Sequence, residues 1–268
     1  MISSWLTAFV ATVPFVTGCL PLSNGAESGA ELKWTYEVTA DWGKLDPEYD
    51  LCQVGTQQSP IHLRLEQGLA SNQKVYFDYP RNVTGVLTNG GYGPSFAIDH
   101  PEGDYTTLPA MTFEEDGKNE TVYLASLHTH APGEHLVSGV RTKVELHFVH
   151  KNAQGDYRAV VGFRVDPGAA NFESPFFGQL PTYIAPSDTE GAAPADIDIS
   201  LAVEDVNRLK EFWTYQGSLT LPPCTEGLRW FMAREVLFVS DGQMQDLLRV
   251  SAYSAREEQE VWRHGINA

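Results

Sequence analysis

The sequence predicts a single domain of mixed α/β class dominated by β-strands. Three observations carry this. Most of the chain falls into short alternating segments divided by Gly, Pro, Asn and Asp turns, the period-two signature of half-buried strands. Only Gln243–Tyr253 spaces its apolar residues clearly as a helix does, at Met244, Leu247, Leu248 and Tyr253. No internal repeat and no convincing boundary divides the body, so the residues outside a leader belong to one unit.

In chain order, the strands are read at Lys74–Tyr79, Thr121–His130, Lys143–His150 and Arg158–Val165. Asn152-Ala-Gln-Gly-Asp156 is a hairpin turn signal between the last two. Residues 167–198 are rich in Pro, Gly, Ala and Ser, but Phe172, Phe176, Phe177 and Leu180 point to a helix or loop packed on the body. Residues 200–212 read equally as a short helix or an entry strand.

The N-terminus runs from Trp5 to Leu20 without a charge, followed by the small, polar stretch Pro21–Ala30. A run of about 16 apolar residues is short for a membrane span and suits a signal-peptide core. The boundaries predicted are a signal peptide at 1–25 and the domain at 30–268. Two other readings stand beside it, because no Lys or Arg precedes the run. Val16-Thr17-Gly18-Cys19 resembles a lipoprotein cleavage box, and the run also reads as a buried helix. Removing the signal takes Cys19 and leaves Cys52 and Cys224, the expected disulfide of an oxidising compartment. The sequons at Asn82 and Asn119 agree with a secreted, glycosylated protein. Eighteen Lys and Arg against 35 Asp and Glu give a net charge of −17, which disfavours nucleic acid and anionic membranes as partners.

Five of the eight histidines lie between residues 128 and 150. His128-Thr-His130 sits on an alternating segment, and a spacing of two on a strand sets both imidazoles on one face. The strand Val144–His150 offers two faces. One carries Glu145, His147 and Val149, the other Leu146, Phe148 and His150. Three neutral imidazoles with an open fourth position form the catalytic arrangement for zinc. Glu145 and Glu134 are the carboxylates placed to orient such ligands.

His128-Thr-His130-Ala-Pro-Gly-Glu134-His135 followed by Glu145-Leu-His147-Phe-Val-His150 resembles the α-class carbonic anhydrases. So do Tyr215-Gln-Gly-Ser-Leu-Thr-Leu-Pro-Pro-Cys-Thr-Glu226, Gln57-Gln-Ser-Pro-Ile61 and Trp34-Thr-Tyr36. The similarity runs in order from about residue 33 to 265, and points to a secreted, eukaryotic, fungal-like member. It implies a central, mostly antiparallel twisted sheet with short peripheral helices. It implies Zn2+ held by His128, His130 and His147, and Glu145 as the partner of His147. Thr220 would accept a hydrogen bond from zinc hydroxide and donate to Glu134. The carbon dioxide pocket would be walled by Val149, Val160, Leu219 and Trp230, with carbon dioxide and bicarbonate as the small-molecule partners. Cys52 and Cys224 stand where extracellular members carry their disulfide.

The chain departs from that pattern in four places. No histidine follows Asn89-Gly90, where the family's proton shuttle stands; Tyr92 occupies the space, and a phenol is a poor shuttle at neutral pH. Leu221 replaces the second Thr and makes the pocket more apolar. Ser126 replaces a Gln that accepts from the first zinc histidine. The C-terminal pattern is degraded to Val261-Trp-Arg-His-Gly265. Two other function classes remain: a non-catalytic carbonic-anhydrase-related binding protein, and a cupin-type metal protein in which Glu134 is itself a ligand. Oligomeric state is left open, a homodimer included.

Overall fold

The computed structural model describes residues 15–16, 34–169, 172–188 and 190–268. Apart from residues 15–16, the expected signal peptide and Cys19 lie outside the described residues. Eleven strands form one sheet. They are β1 (Val75–Asp78), β2 (Val83–Asn89), β3 (Pro94–Ile98), β4 (Ala110–Glu115), β5 (Lys118–His130) and β6 (Val144–Lys151), then β7 (Tyr157–Pro167), β8 (Ala192–Ile197), β9 (Phe212–Ser218), β10 (Glu226–Ala233) and β11 (Leu237–Val239). The spatial order is β8-β2-β3-β5-β6-β7-β10-β9, with β11 beside β7 and β4 joining β1 to β5. Every pairing is antiparallel except β7 with β10 and β7 with β11.

The four strands read from sequence are all present, each within a few residues of the expected ends. Asn152 closes the β6–β7 hairpin, its side-chain oxygen accepting from the backbone N–H groups of Gln154 and Asp156. Residues 167–198 hold a short helix, α1 (Pro175–Gly178), and β8. Phe176 and Phe177 are buried as expected, but Phe172 is exposed. The open choice at 200–212 resolves to a helix, α2 (Ser200–Asp205), followed by a 3-10 turn and β9. The C-terminal helix α3 (Asp241–Arg249) is capped by Ser240, whose hydroxyl accepts from the Gln243 N–H. Its buried face is Met244 and Leu247; Leu248 and Tyr253 face solvent instead.

Strand alternation divides the core in two. Leu146, Phe148, Val161 and Phe163 point to one face and pack with Phe176, Met244 and Leu247. Burying each such ring contributes about 2–3 kcal/mol. Val160, Tyr215, Trp230 and Met232 point the other way, into a second cluster with Ile61 and Leu219. Cys52 and Cys224, 172 residues apart, are bonded and join the turn before Glu226 to the N-terminal helices. Among the described residues, no helix is long and apolar enough to cross a membrane.

Candidate active site

The site is a product of strand register. Ser95, His128, His147 and Gly162 stand opposite one another across β3, β5, β6 and β7. Glycine at 162 leaves room for Met232, whose Sδ would lie 2.2 Å from a Cβ there and would have to shift. The next row carries Ser126, Val149, Val160, Trp230 and Tyr215. Thus the three histidines and the apolar wall share one face by pairing alone.

His128, His130 and His147 bring one nitrogen each to within 4.8 Å of one another. Hydrogen bonds fix which nitrogen remains available. Nδ1 of His130 donates to the Ser254 carbonyl at 2.6 Å, leaving Nε2 as the acceptor. Nε2 of His147 donates to Oε1 of Glu145 at 2.6 Å, leaving Nδ1. Nε2 of His128 faces Nε2 of His130 at 2.9 Å. Burial drives all three pKa values down, that of His130 to about 4, so each imidazole is neutral at pH 7. Three neutral nitrogens converging on one point match the donor set of a catalytic zinc. Glu134 stands outside this group of three, with its Oε2 3.5 Å from Nε2 of His130.

Around this cluster the carboxylates divide. Glu145 is fully buried; burial alone would raise its pKa, but the His135 imidazole and the hydrogen bonds from His135 and His147 carry it well below the usual range. Its other oxygen accepts from the backbone N–H groups of Glu134 and His135. Glu134 is also fully buried, and burial raises its pKa to about 7. Its Oε1 accepts from the Arg256 N–H at 2.9 Å, while Oε2 has no full-geometry hydrogen bond and lies 3.5 Å from Nε2 of His130. Thr220 stands near enough to hold the rise down.

Val149, Val160, Leu219, Leu221 and Trp230, with Thr220, His128 and His147, line one small cavity. All five expected wall residues are there, and Tyr157 joins them. On the far side of His128 and His130 a second cavity is lined by Tyr36, Tyr92, Ser95, Leu221 and Ser254. Tyr92 stacks on Trp34 at 5.9 Å and meets Tyr36 edge-on at 4.9 Å. Burial and then the Glu37 charge raise its pKa, which weakens it further as a proton carrier. Ser126 makes no hydrogen bond to His128, whose Nδ1 is buried and unpartnered. Asn82 and Asn119 are both exposed.

Sequence reasoning missed several neighbours. The C-terminal segment that meets the site is Ser254–Arg256, earlier than Val261–Gly265. It acts through a carbonyl and an N–H that any residue type supplies, so no side-chain pattern marks it. Nδ1 of His135 is 2.6 Å from Glu145 and Nε2 is 2.7 Å from the Tyr215 hydroxyl, which in turn meets Ser59. His135 and Tyr215 are in the quoted motifs, but nothing in their spacing assigns them this chain.

The model of the eukaryotic-type carbonic anhydrase matches residues 37–265. Alpha carbonic anhydrase 4 of Arabidopsis thaliana is 30% identical over 252 residues, 90% of this chain and 86% of the relative. A carbonic anhydrase of Klebsiella pneumoniae is 31% identical over 217 residues, 79% of this chain and 80% of the relative. The solved structure of a fungal alpha carbonic anhydrase from Aspergillus oryzae superposes with a TM-score of 0.70 at 26% identity, covering 85% of this chain and 93% of that one.

Proposed function

The chain belongs to the eukaryotic-type carbonic anhydrase family, and from that premise we propose that it reversibly hydrates carbon dioxide to bicarbonate and a proton with zinc held by His128, His130 and His147. The observation that carries this is the convergence of three neutral imidazole nitrogens within 4.8 Å beside an apolar cavity. When bound, zinc makes a coordinated water acidic enough to be a nucleophile near neutral pH; carbonic anhydrase is the standard example of that effect.

The remaining steps belong to the chain. Glu145 and the Ser254 carbonyl orient His147 and His130 by accepting their outer N–H groups. Glu134 is held by the Arg256 N–H and keeps Oε2 free for the Thr220 hydroxyl. Once that hydroxyl donates to Glu134, its oxygen can only accept. It then selects a nucleophile that still carries a proton and fixes its orientation. Val149, Val160, Leu219, Leu221 and Trp230 hold carbon dioxide in a dry pocket. Leu221 offers bicarbonate no hydrogen bond, which favours its release.

The disulfide supports secretion, and the exposed Asn82 and Asn119 are open to glycan addition. Stopped-flow hydration with metal analysis, on the natural protein and His147→Ala, tests the proposal. About one zinc per chain and hydration lost in the variant support it. Zinc-free, inactive natural protein would favour a binding role.

A further inference from the structure

Tyr157 enters the substrate pocket through an irregularity in strand pairing. β6 and β7 pair His150 with Ala159 and then Lys151 with Tyr157, leaving Arg158 as the extra residue of a bulge. In an unbroken strand Arg158, two residues before Val160, would share the pocket face. The bulge sets Tyr157 there instead, beside Val149 and Val160. The same shift places Lys151 opposite Tyr157. Nζ of Lys151 lies 4.9 Å over the Tyr157 ring and 4.8 Å over the Tyr105 ring. It also donates to the Tyr105 hydroxyl at 3.4 Å.

No carboxylate pairs with Lys151 among the described residues, although acidic residues outnumber basic ones 35 to 18. The acids on the adjoining strands and turn are engaged elsewhere. Glu120 takes Arg158 at 2.5 Å, Glu115 takes Arg229 at 2.6 Å, and Asp156 accepts from Asn152 at 3.0 Å. An ammonium carries three donors, and Tyr105 takes one of them. The Tyr157 hydroxyl likewise has no hydrogen-bond partner among the described residues. Tyr157, which lines the apolar pocket, therefore carries a half-buried cation over its ring, shared with Tyr105, and that ammonium keeps donors without a protein partner among the described residues.

We propose that Lys151, together with Tyr157, is a docking site for bicarbonate at the pocket rim, through which the anion enters and leaves. This rests on the hydration reading above. Carbon dioxide is neutral and needs no such group. Bicarbonate must cross the field of a chain whose net charge is −17, and one local positive charge lowers its energy at the mouth. Lowering that barrier speeds arrival and departure alike. The fixed equilibrium constant then requires kcat/KM to change by the same factor in hydration and dehydration.

The test uses zinc-loaded natural protein and the variants Lys151→Gln, Lys151→Arg and Lys151→Glu. At low ionic strength Lys151→Gln lowers kcat/KM in both directions about two- to fivefold. Lys151→Glu lowers it further, and Lys151→Arg stays near the natural value. The differences close in about 0.5 M salt, where screening removes steering. Independently of turnover, bicarbonate titrated into the natural protein shifts the 13C resonance of Lys151 Cε saturably. Lys151→Gln that equals the natural protein at low salt, a loss that persists at high salt, Lys151→Arg no better than Lys151→Gln, or an unmoved Cε resonance overturns the site. A natural protein with no hydration activity overturns the underlying reading instead, and the Cε titration then still decides the site.

Discussion

The backbone N–H of Arg256 donates to Oε1 of Glu134 at 2.9 Å, tying a carboxylate of the β5–β6 connection to the C-terminal segment. The guanidinium of the same residue clasps the Ser59 and Cys52 carbonyls, so that N–H is rigidly placed. Glu134→Gln keeps an acceptor for Arg256 but turns an amide donor or a weaker acceptor toward Thr220. Hydration kcat is expected to fall about 100-fold or more with zinc content unchanged, measured by stopped flow and metal analysis. A fall of less than about threefold would remove Glu134 from the orienting role.

Ser126 is too short to serve His128, and Nδ1 of that histidine is left buried without a partner. Ser126→Gln restores an acceptor from the adjoining position of the same strand face. Zinc affinity is expected to rise about tenfold, read by competition with a chromophoric chelator. Unchanged or weaker binding would mean the longer side chain cannot reach Nδ1.

Much of the site was legible because its residue types are chemically restricted. Period-two spacing put His128 with His130 on one strand face and Glu145 with His147 on another; joining the three histidines into one ligand set came from the resemblance to the family. What stayed hidden works through register or backbone. Tyr157 reaches the pocket because of a bulge that no local pattern announces. Ser254 and Arg256 reach the cluster through a carbonyl and an N–H, groups that every such residue carries. The His135–Tyr215 contact spans 80 residues and depends on the whole sheet closing. In the fold, strands with strict alternation were read within a few residues of their ends. The segment at 200–212 was not, because its short helix and strand adjoin without a clear change of period.

Tyr92 lines the second cavity beside His128 and His130, with its pKa raised by burial and by Glu37. Proton release is therefore expected to limit turnover. Added imidazole should raise kcat severalfold while leaving kcat/KM unchanged, and Tyr92→His should raise kcat at low buffer concentration. A steady-state rate indifferent to imidazole, with normal exchange between carbon dioxide and bicarbonate, would contradict this.

His150 lies on the core face, with Nε2 2.6 Å from the Tyr79 hydroxyl. Burial lowers its pKa to about 3. Because the unfolded chain takes up this proton first, near pH 6.5, stability is complete above that value and is lost as pH falls toward 3. Between pH 6.5 and 4 the loss from this group is about 3 kcal/mol. His150→Phe should flatten the pH dependence by that order, measured by urea unfolding at the two pH values. An equally steep fall in the variant would place the acid sensitivity elsewhere.

The most direct measurement is carbon dioxide hydration by stopped flow before zinc removal, after dialysis against a chelator at mildly acid pH, and after zinc is returned. Activity that disappears on removal and returns with about one zinc per chain is the expected result, with neither removal nor return effective in His147→Ala. Hydration that survives complete removal of the metal, or that never appears with zinc bound at His128, His130 and His147, would contradict the account.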